Sequence, residues 1–97
     1  MPRVVVTEVA RADLRAMILT HSLPSSTVER VRAALTPLAD FPQLGPALAG
    51  DWRELRFVLG PWPWMLIVYA WDEAADVVAM VTIQDARSAE AATAQRY

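Results

Sequence analysis

The 97-residue sequence has no cysteine and only one histidine, His21. The absence of cysteine excludes disulfide bonds and thiolate metal ligands. A single histidine is too little for a histidine-based metal site. We therefore expect no metal site and no cofactor. Lysine is also absent, so all nine basic side chains are arginines.

An excess of positive charge is missing as well, because eleven acidic residues give a net charge of −2. Proteins that bind nucleic acid usually carry a basic excess or a basic stripe. We therefore do not expect the chain to bind nucleic acid by itself.

Long apolar runs are absent, although hydrophobic residues make up 55% of the sequence. No run approaches the roughly 18 to 20 residues that cross a bilayer. The first residues, MPRVVVTEVARADL, contain no apolar block of signal-peptide length. We expect one cytoplasmic domain over residues 1–97, with a single core and no membrane partner.

The most informative stretch is 51–87, where three apolar runs are separated by Gly-Pro and by the acidic turn DEAAD. Runs of this kind predict three successive antiparallel strands. In the middle run, PWPWMLIVYAW, both strand faces are apolar by alternation, which is typical of a central strand. The predicted faces are Trp62, Trp64, Leu66, Val68 and Ala70 on one side, and Met65, Ile67, Tyr69 and Trp71 on the other.

Two helices are predicted before this meander. The run VVVT indicates a strand, and Thr7 is a suitable N-cap for an amphipathic helix after it. Ser26 and Glu29 have the spacing of a capping box for a second helix. Pro37 should end that helix near Leu35, because its ring clashes with the preceding turn.

These elements predict an α+β fold. An N-terminal strand, a two-helix hairpin and a three-stranded antiparallel meander should form one four-stranded sheet with the helices on one face. A short C-terminal helix or tail should follow, beginning near Ser88, with Glu90 and Arg96 matching the helix dipole. The other face of the sheet is expected to stay open for a partner, since large apolar patches usually mark interfaces.

In order along the chain, the segments TEVARADL, FPQLG, WRELRFVLG, IVY and TIQDAR resemble the RelE/ParE family of bacterial toxins from type II toxin–antitoxin modules. The resemblance covers roughly residues 3–88. It implies a cytoplasmic toxin that a cognate antitoxin protein holds inactive in a hetero-oligomer.

The family has two branches. RelE-like members cleave messenger RNA on the ribosome, and ParE-like members poison DNA gyrase. At positions where the nucleases usually carry arginine or histidine, this chain has Leu66, Ile67, Thr82 and Asp85. We therefore favour a ParE-like, non-nucleolytic toxin with gyrase as a possible partner.

Two alternatives stay open. A ribosome-dependent nuclease needs cations for the phosphate and a proton acceptor. The candidates are Arg53, Arg56 and Arg87 as cations and Glu54 as base, on the assumption that Glu54 and Arg56 share a strand face. The other alternative is a degenerate member that has lost toxicity and acts only as a binding partner.

The candidate partner-binding residues are Trp52, Arg56, Trp62, Trp64 and Arg87. Aromatic side chains dominate many protein interfaces, so we assign Trp62 and Trp64 to the core or to the antitoxin interface. A base-stacking role is not expected of them, because no cations are predicted around them. We interpret His21 as structural.

Overall fold

The computed structural model describes residues 2–88 and 91–94 of the chain. Its elements in chain order are β1 (Arg3–Val6), α1 (Glu8–Thr20), α2 (Thr27–Leu35), β2 (Arg56–Leu59), β3 (Met65–Asp72) and β4 (Val77–Asp85). The strands form one four-stranded sheet in the order β1-β4-β3-β2. Strand β1 runs parallel to β4, and the other pairs are antiparallel. The predicted α+β fold is confirmed.

One face of the sheet carries the main core, as the alternation in β3 predicts. Met65, Ile67 and Tyr69 are fully buried and pack with apolar residues of both helices. In the described parts of the chain, no helix is long and apolar enough to span a membrane.

The second face of the sheet is covered, so the expectation that it stays open is wrong. Leu66 and Val68 are 0% exposed and pack with Leu48, Ala91 and Ala92. The segment before β2 folds back onto this face, because the Leu48 N–H donates to the Leu55 carbonyl at 2.9 Å. The C-terminal segment is held there as well, since the Ala92 N–H donates to the side chain of Gln84 at 2.8 Å.

Strand β4 contains a β-bulge. Thr82 pairs with Val68 and Met80 pairs with Tyr69, which leaves Val81 without a counterpart in β3. An extra residue reverses the alternation of side chains along a strand. Met80 and Ile83, three positions apart, therefore both belong to the helix-side core.

The start of α1 binds this bulge through two side chains. The Thr7 hydroxyl donates to the carbonyls of Met80 and Val81 at 2.8 and 3.2 Å. The same oxygen accepts the Ala10 N–H at 3.2 Å, which confirms Thr7 as the N-cap. One turn later, Asp13 accepts hydrogen bonds from the Thr82 hydroxyl and from the Ile83 N–H. The strand-to-helix junction and the bulge thus form one hydrogen-bonded unit.

Helix α2 has the predicted bounds but not the predicted cap. Helix α2 starts after Ser26, as predicted, but the Ser26 side chain makes no capping hydrogen bond. The buried hydroxyl of Thr27, the first helical residue, donates to the Pro24 carbonyl at 2.6 Å and so holds the start of the helix to the preceding loop. Helix α2 ends at Leu35, as Pro37 predicts, and continues as a 3₁₀ turn over Thr36–Ala39.

The C-terminal helix is short. It is a 3₁₀ turn over Ala92–Ala94, and it begins after Ser88 rather than at it. The predicted dipole partners Glu90 and Arg96 lie outside the described residues.

The role of Thr7 predicts the effect of removing its hydroxyl. Thr7→Ala loses the helix cap and both hydrogen bonds to the bulge, so we expect the free energy of unfolding to fall by about 1–2 kcal/mol. The control is Thr20→Ala, whose exposed hydroxyl donates only to the Ala16 carbonyl within α1. That control should change stability by less than about 0.5 kcal/mol. Urea denaturation measures both, and equal losses would contradict this role for Thr7.

Candidate functional site

The residues proposed for nuclease chemistry do not share a strand. Gly50–Trp52 forms a 3₁₀ turn, and Arg53 follows as its C-cap residue, donating to the Gly50 carbonyl at 3.3 Å. Strand β2 begins only at Arg56. The expectation that Glu54 and Arg56 lie on one strand face is therefore wrong. The turn forms because Gly50 adopts a φ of 64°, which glycine tolerates well.

Arg56 binds backbone carbonyls of the preceding loop. Its Nη1 donates to the Gly45 carbonyl at 2.8 Å and reaches the Gln43 carbonyl at 3.5 Å. Tyr69, opposite Arg56 in the sheet, donates its hydroxyl to the Pro42 carbonyl at 2.8 Å and accepts the Gly45 N–H at 3.0 Å. Arg56 and Tyr69 together fix loop 41–45 against the sheet.

Gly45 has no room for a side chain at this point. A Cβ there would lie 2.0 Å from the Phe57 carbonyl oxygen. Glycine thus allows the loop to approach β2 closely enough for the Tyr69 hydroxyl to reach it.

Burial raises the pKa of Tyr69 above its ordinary value of 10.0, although the Gly45 N–H and the charge of Arg56 oppose the shift. The folded chain therefore prefers the neutral phenol more strongly than the unfolded chain does. By linkage, this contribution to stability is complete below the unfolded pKa and is lost as pH rises through the folded pKa.

This shift predicts a stability loss at high pH. We expect the wild-type chain to lose stability as pH rises above about 10, where the unfolded phenol ionises. Tyr69→Phe should be about 1–3 kcal/mol less stable at neutral pH, because the Gly45 N–H loses its partner. The variant should also lack the part of the stability loss at high pH that comes from ionisation of the Tyr69 phenol. Urea denaturation at several pH values measures both, and since Tyr97 stays in both proteins, identical pH profiles would refute the assignment.

A second group of side chains lies at the opposite end of β3, and we call it the aromatic cluster: His21, Arg30, Trp62, Trp64, Asp85 and Arg87. Trp62 and Trp64 stack with ring centroids 6.2 Å apart, and His21 stacks on Trp64 at 4.6 Å. Both tryptophans pack against the helix-side core with Met65 and Ile67. This agrees with the assignment to the core, but it contradicts the predicted strand face, on which Leu66 and Val68 accompany the two tryptophans. They precede β3 rather than lying within it, because the strand begins at Met65.

Cations surround the two tryptophans, so the premise that none are near them is wrong. The Arg30 guanidinium lies 5.1 Å from the Trp62 ring centroid. The Arg87 guanidinium lies 4.9 Å from that of Trp64. Sequence reasoning missed this arrangement because Arg30 lies on α2, far from the tryptophans in sequence.

The charge of Arg87 is balanced by Asp85. Nε and Nη2 of Arg87 donate to the two carboxylate oxygens at 2.9 and 2.7 Å. These bonds, and the Arg87 backbone N–H, hold the pKa of Asp85 well below its usual range. The His21 Nε2 atom lies 3.3 Å from the same carboxylate. His21 thus connects the end of α1 to the end of β4, which fits a structural role.

The proposed nuclease residues are divided between two ends of the sheet. Arg56 pairs with Tyr69, whereas Asp85, beside Arg87, pairs with Met65. Met65 and Tyr69 are four residue steps apart along β3, which is about 13 Å at 3.3 Å per residue. Within the described ranges, no three histidine or acidic side chains are grouped to hold a metal ion.

A cavity of about 320 Å³ lies between the two helices, and we call it the helix groove. It is lined by Val6, Arg11, Leu14, Arg15, Ile18, Val28, Val31, Arg32, Leu35 and Met80. Leu14, Val31 and Leu35 are buried and form its floor, while Val28 is 42% exposed. The three arginines are exposed. The groove is therefore an apolar channel with positive charge along its edges.

Comparison with solved structures identifies the fold. A chain of the chromosomal ParDE toxin–antitoxin system from P. aeruginosa superimposes with a TM-score of 0.68 at 14% identity, over 88% of this chain and 96% of that one. A copper-bound mutant toxin from Helicobacter pylori superimposes with a TM-score of 0.63 at 18% identity, over 88% of this chain and 94% of that one. A chain of the RelBE2 toxin–antitoxin complex from Mycobacterium tuberculosis superimposes with a TM-score of 0.55 at 21% identity, over 87% of this chain and 90% of that one.

No protein-family model and no curated protein matches the sequence. At these identities the superpositions establish the fold, and it extends over nearly the full length of each matched chain. The chain has the fold of the RelE/ParE toxins, as its sequence motifs predict.

Proposed function

We propose that this protein is the toxin of a type II toxin–antitoxin module and is neutralised when a cognate antitoxin occupies the helix groove. The fold supports the first part, because matched structures come from ParDE and RelBE2 toxin–antitoxin systems. The groove supports the second, since it is an exposed apolar channel, whereas the chain covers both sheet faces with its own residues.

The chemistry of the groove defines the antitoxin segment. An apolar floor takes the hydrophobic side of an amphipathic segment, which inserts residues at helical spacing. Arg11, Arg15 and Arg32 favour acidic residues on its flanks. Arg11 forms an ion pair with Glu8 on the same helix at 4.0 Å, and the Arg11 side chain is still 57% exposed. The positive charge is therefore largely available to a partner.

Charge reversal at the groove tests this assignment. The probe is a helical peptide of leucine and glutamate, titrated into the full chain by calorimetry. The double variant Arg11→Glu, Arg15→Glu should bind it about tenfold more weakly, because two exposed attractions become repulsions. The double variant Arg3→Glu, Arg53→Glu makes a matched change at two exposed arginines outside the groove and should bind normally. Equal weakening in both would show a general charge effect and contradict a groove-specific site.

We further propose that the toxin acts without nuclease chemistry, by the ParE-like route that targets DNA gyrase. Two observations support this. Arg56 donates to loop carbonyls, and Arg87 is neutralised by Asp85. A nuclease needs cations free to stabilise charge on the phosphate. The arrangement therefore favours a toxin that acts by binding.

Expression experiments test the mechanism. Induction of the chain alone should stop growth, and co-expression of an adjacent antitoxin gene should restore it. Purified protein should make gyrase accumulate cleaved DNA while translated messages stay intact. Absence of both toxicity and gyrase binding would indicate a degenerate member and remove the proposal.

One observation favours the nuclease alternative. His21 and Asp85 form a hydrogen-bonded histidine–carboxylate pair beside Arg87, an arrangement able to transfer protons. On that alternative, induction cuts translated messages, and His21→Ala abolishes the cuts. Intact messages under toxic expression eliminate it.

A further inference from the structure

A second apolar surface lies at the loop after α2. Phe41 and Leu44 are 64% and 56% exposed, although both are large hydrophobic residues. They border an open cleft of about 530 Å³, which we call the acidic cleft. It is lined by Asp40, Phe41, Pro42, Gln43, Leu44, Trp71 and Glu73. It shares no lining residue with the helix groove.

The loop presents these side chains in a fixed geometry. The Phe41 N–H donates to the Pro37 carbonyl and the Leu44 N–H to the Phe41 carbonyl, both at 2.9 Å. Beneath the loop, the buried Tyr69 hydroxyl bonds to Pro42 and Gly45, as described above. Binding therefore requires little further ordering of the loop backbone, which lowers its entropic cost. Exposed apolar side chains on a rigid loop are typical of binding anchors.

The charge at the cleft is opposite to that of the helix groove. Asp40 and Glu73 line it and are exposed, and no arginine lines it. Asp72, next to Glu73, is exposed too. Behind the loop, the Arg56 guanidinium donates to the carbonyls of Gln43 and Gly45. A segment that carries positive charge beside apolar residues fits this surface.

We propose that the acidic cleft binds a basic, amphipathic segment of a second protein partner, distinct from the antitoxin. The acidic segment expected in the helix groove is repelled by Asp40 and Glu73, so the two surfaces select different partners. Because the surfaces share no residue, both can be occupied in one complex.

Peptide titration of the full chain tests this proposal independently of toxicity. The probe is a helical peptide of leucine and lysine, and its control is a lysine–serine peptide of equal charge. We expect saturable one-to-one binding of the leucine–lysine peptide only. The double variant Phe41→Ser, Leu44→Ser should weaken it at least about tenfold, as loss of interface anchors does. The charge variant Asp40→Lys, Glu73→Lys should weaken it comparably.

The double variant Leu19→Ser, Leu59→Ser is the matched control, because Leu19 and Leu59 are 77% and 50% exposed and line neither surface. It should bind the peptide normally, and the leucine–glutamate peptide should not compete. Unchanged thermal unfolding would confirm that the variants fold. If the Phe41, Leu44 double variant binds the leucine–lysine peptide as tightly as the wild-type chain does, the proposal is overturned. Sedimentation showing a dimer that this variant abolishes would also overturn it, since the occupant would be a second copy of the chain.

Discussion

The extra residue in β4 determines where the helices lie on this sheet. The bulge leaves Val81 without a counterpart in β3, and around it Thr7 and Asp13 bind the carbonyls of Met80 and Val81 and the Ile83 N–H. Buried polar groups of the backbone require partners, so α1 cannot shift along the sheet without losing these bonds. The same bulge turns both Met80 and Ile83 toward the helices. Helix placement and core packing thus depend on one local irregularity.

The position of the helices and of the loop after them creates the surfaces that we propose bind partners. With the second sheet face covered by Leu48, Ala91 and Ala92, the sheet offers no open apolar face over β3. The two surfaces that we propose bind partners are instead an arginine-edged groove and an acidic cleft, which share no lining residue. Charged side chains such as Arg87 and Asp85 pair with each other within the chain. This distribution agrees with a protein that acts by contact with other proteins.

Much of the fold follows from local sequence patterns. Alternation in β3 predicts both of its faces, Thr7 predicts the start of α1, and Pro37 predicts the end of α2. The bulge could not be predicted, because Val81 looks like any β-branched strand residue. The 3₁₀ turn at Gly50 shortens a strand that apolar periodicity extends to Asp51.

The candidate sites were harder to predict from sequence, because they depend on contacts between distant residues. Arg30 meets Trp62 and His21 meets Asp85 only after the helices have packed on the sheet. Tyr69 matches a family motif, yet its hydroxyl is committed to Pro42 and Gly45. A motif therefore predicted where the residue lies but not what it does.

The central claim is that partners approach the helix side and not the second sheet face. Amide hydrogen exchange of the full chain, with and without the leucine–glutamate peptide, tests it most directly. The account predicts added protection in α1 and α2 around Ile18, Val28 and Val31. Protection confined to residues 46–55 and Ala91–Ala94 would contradict it.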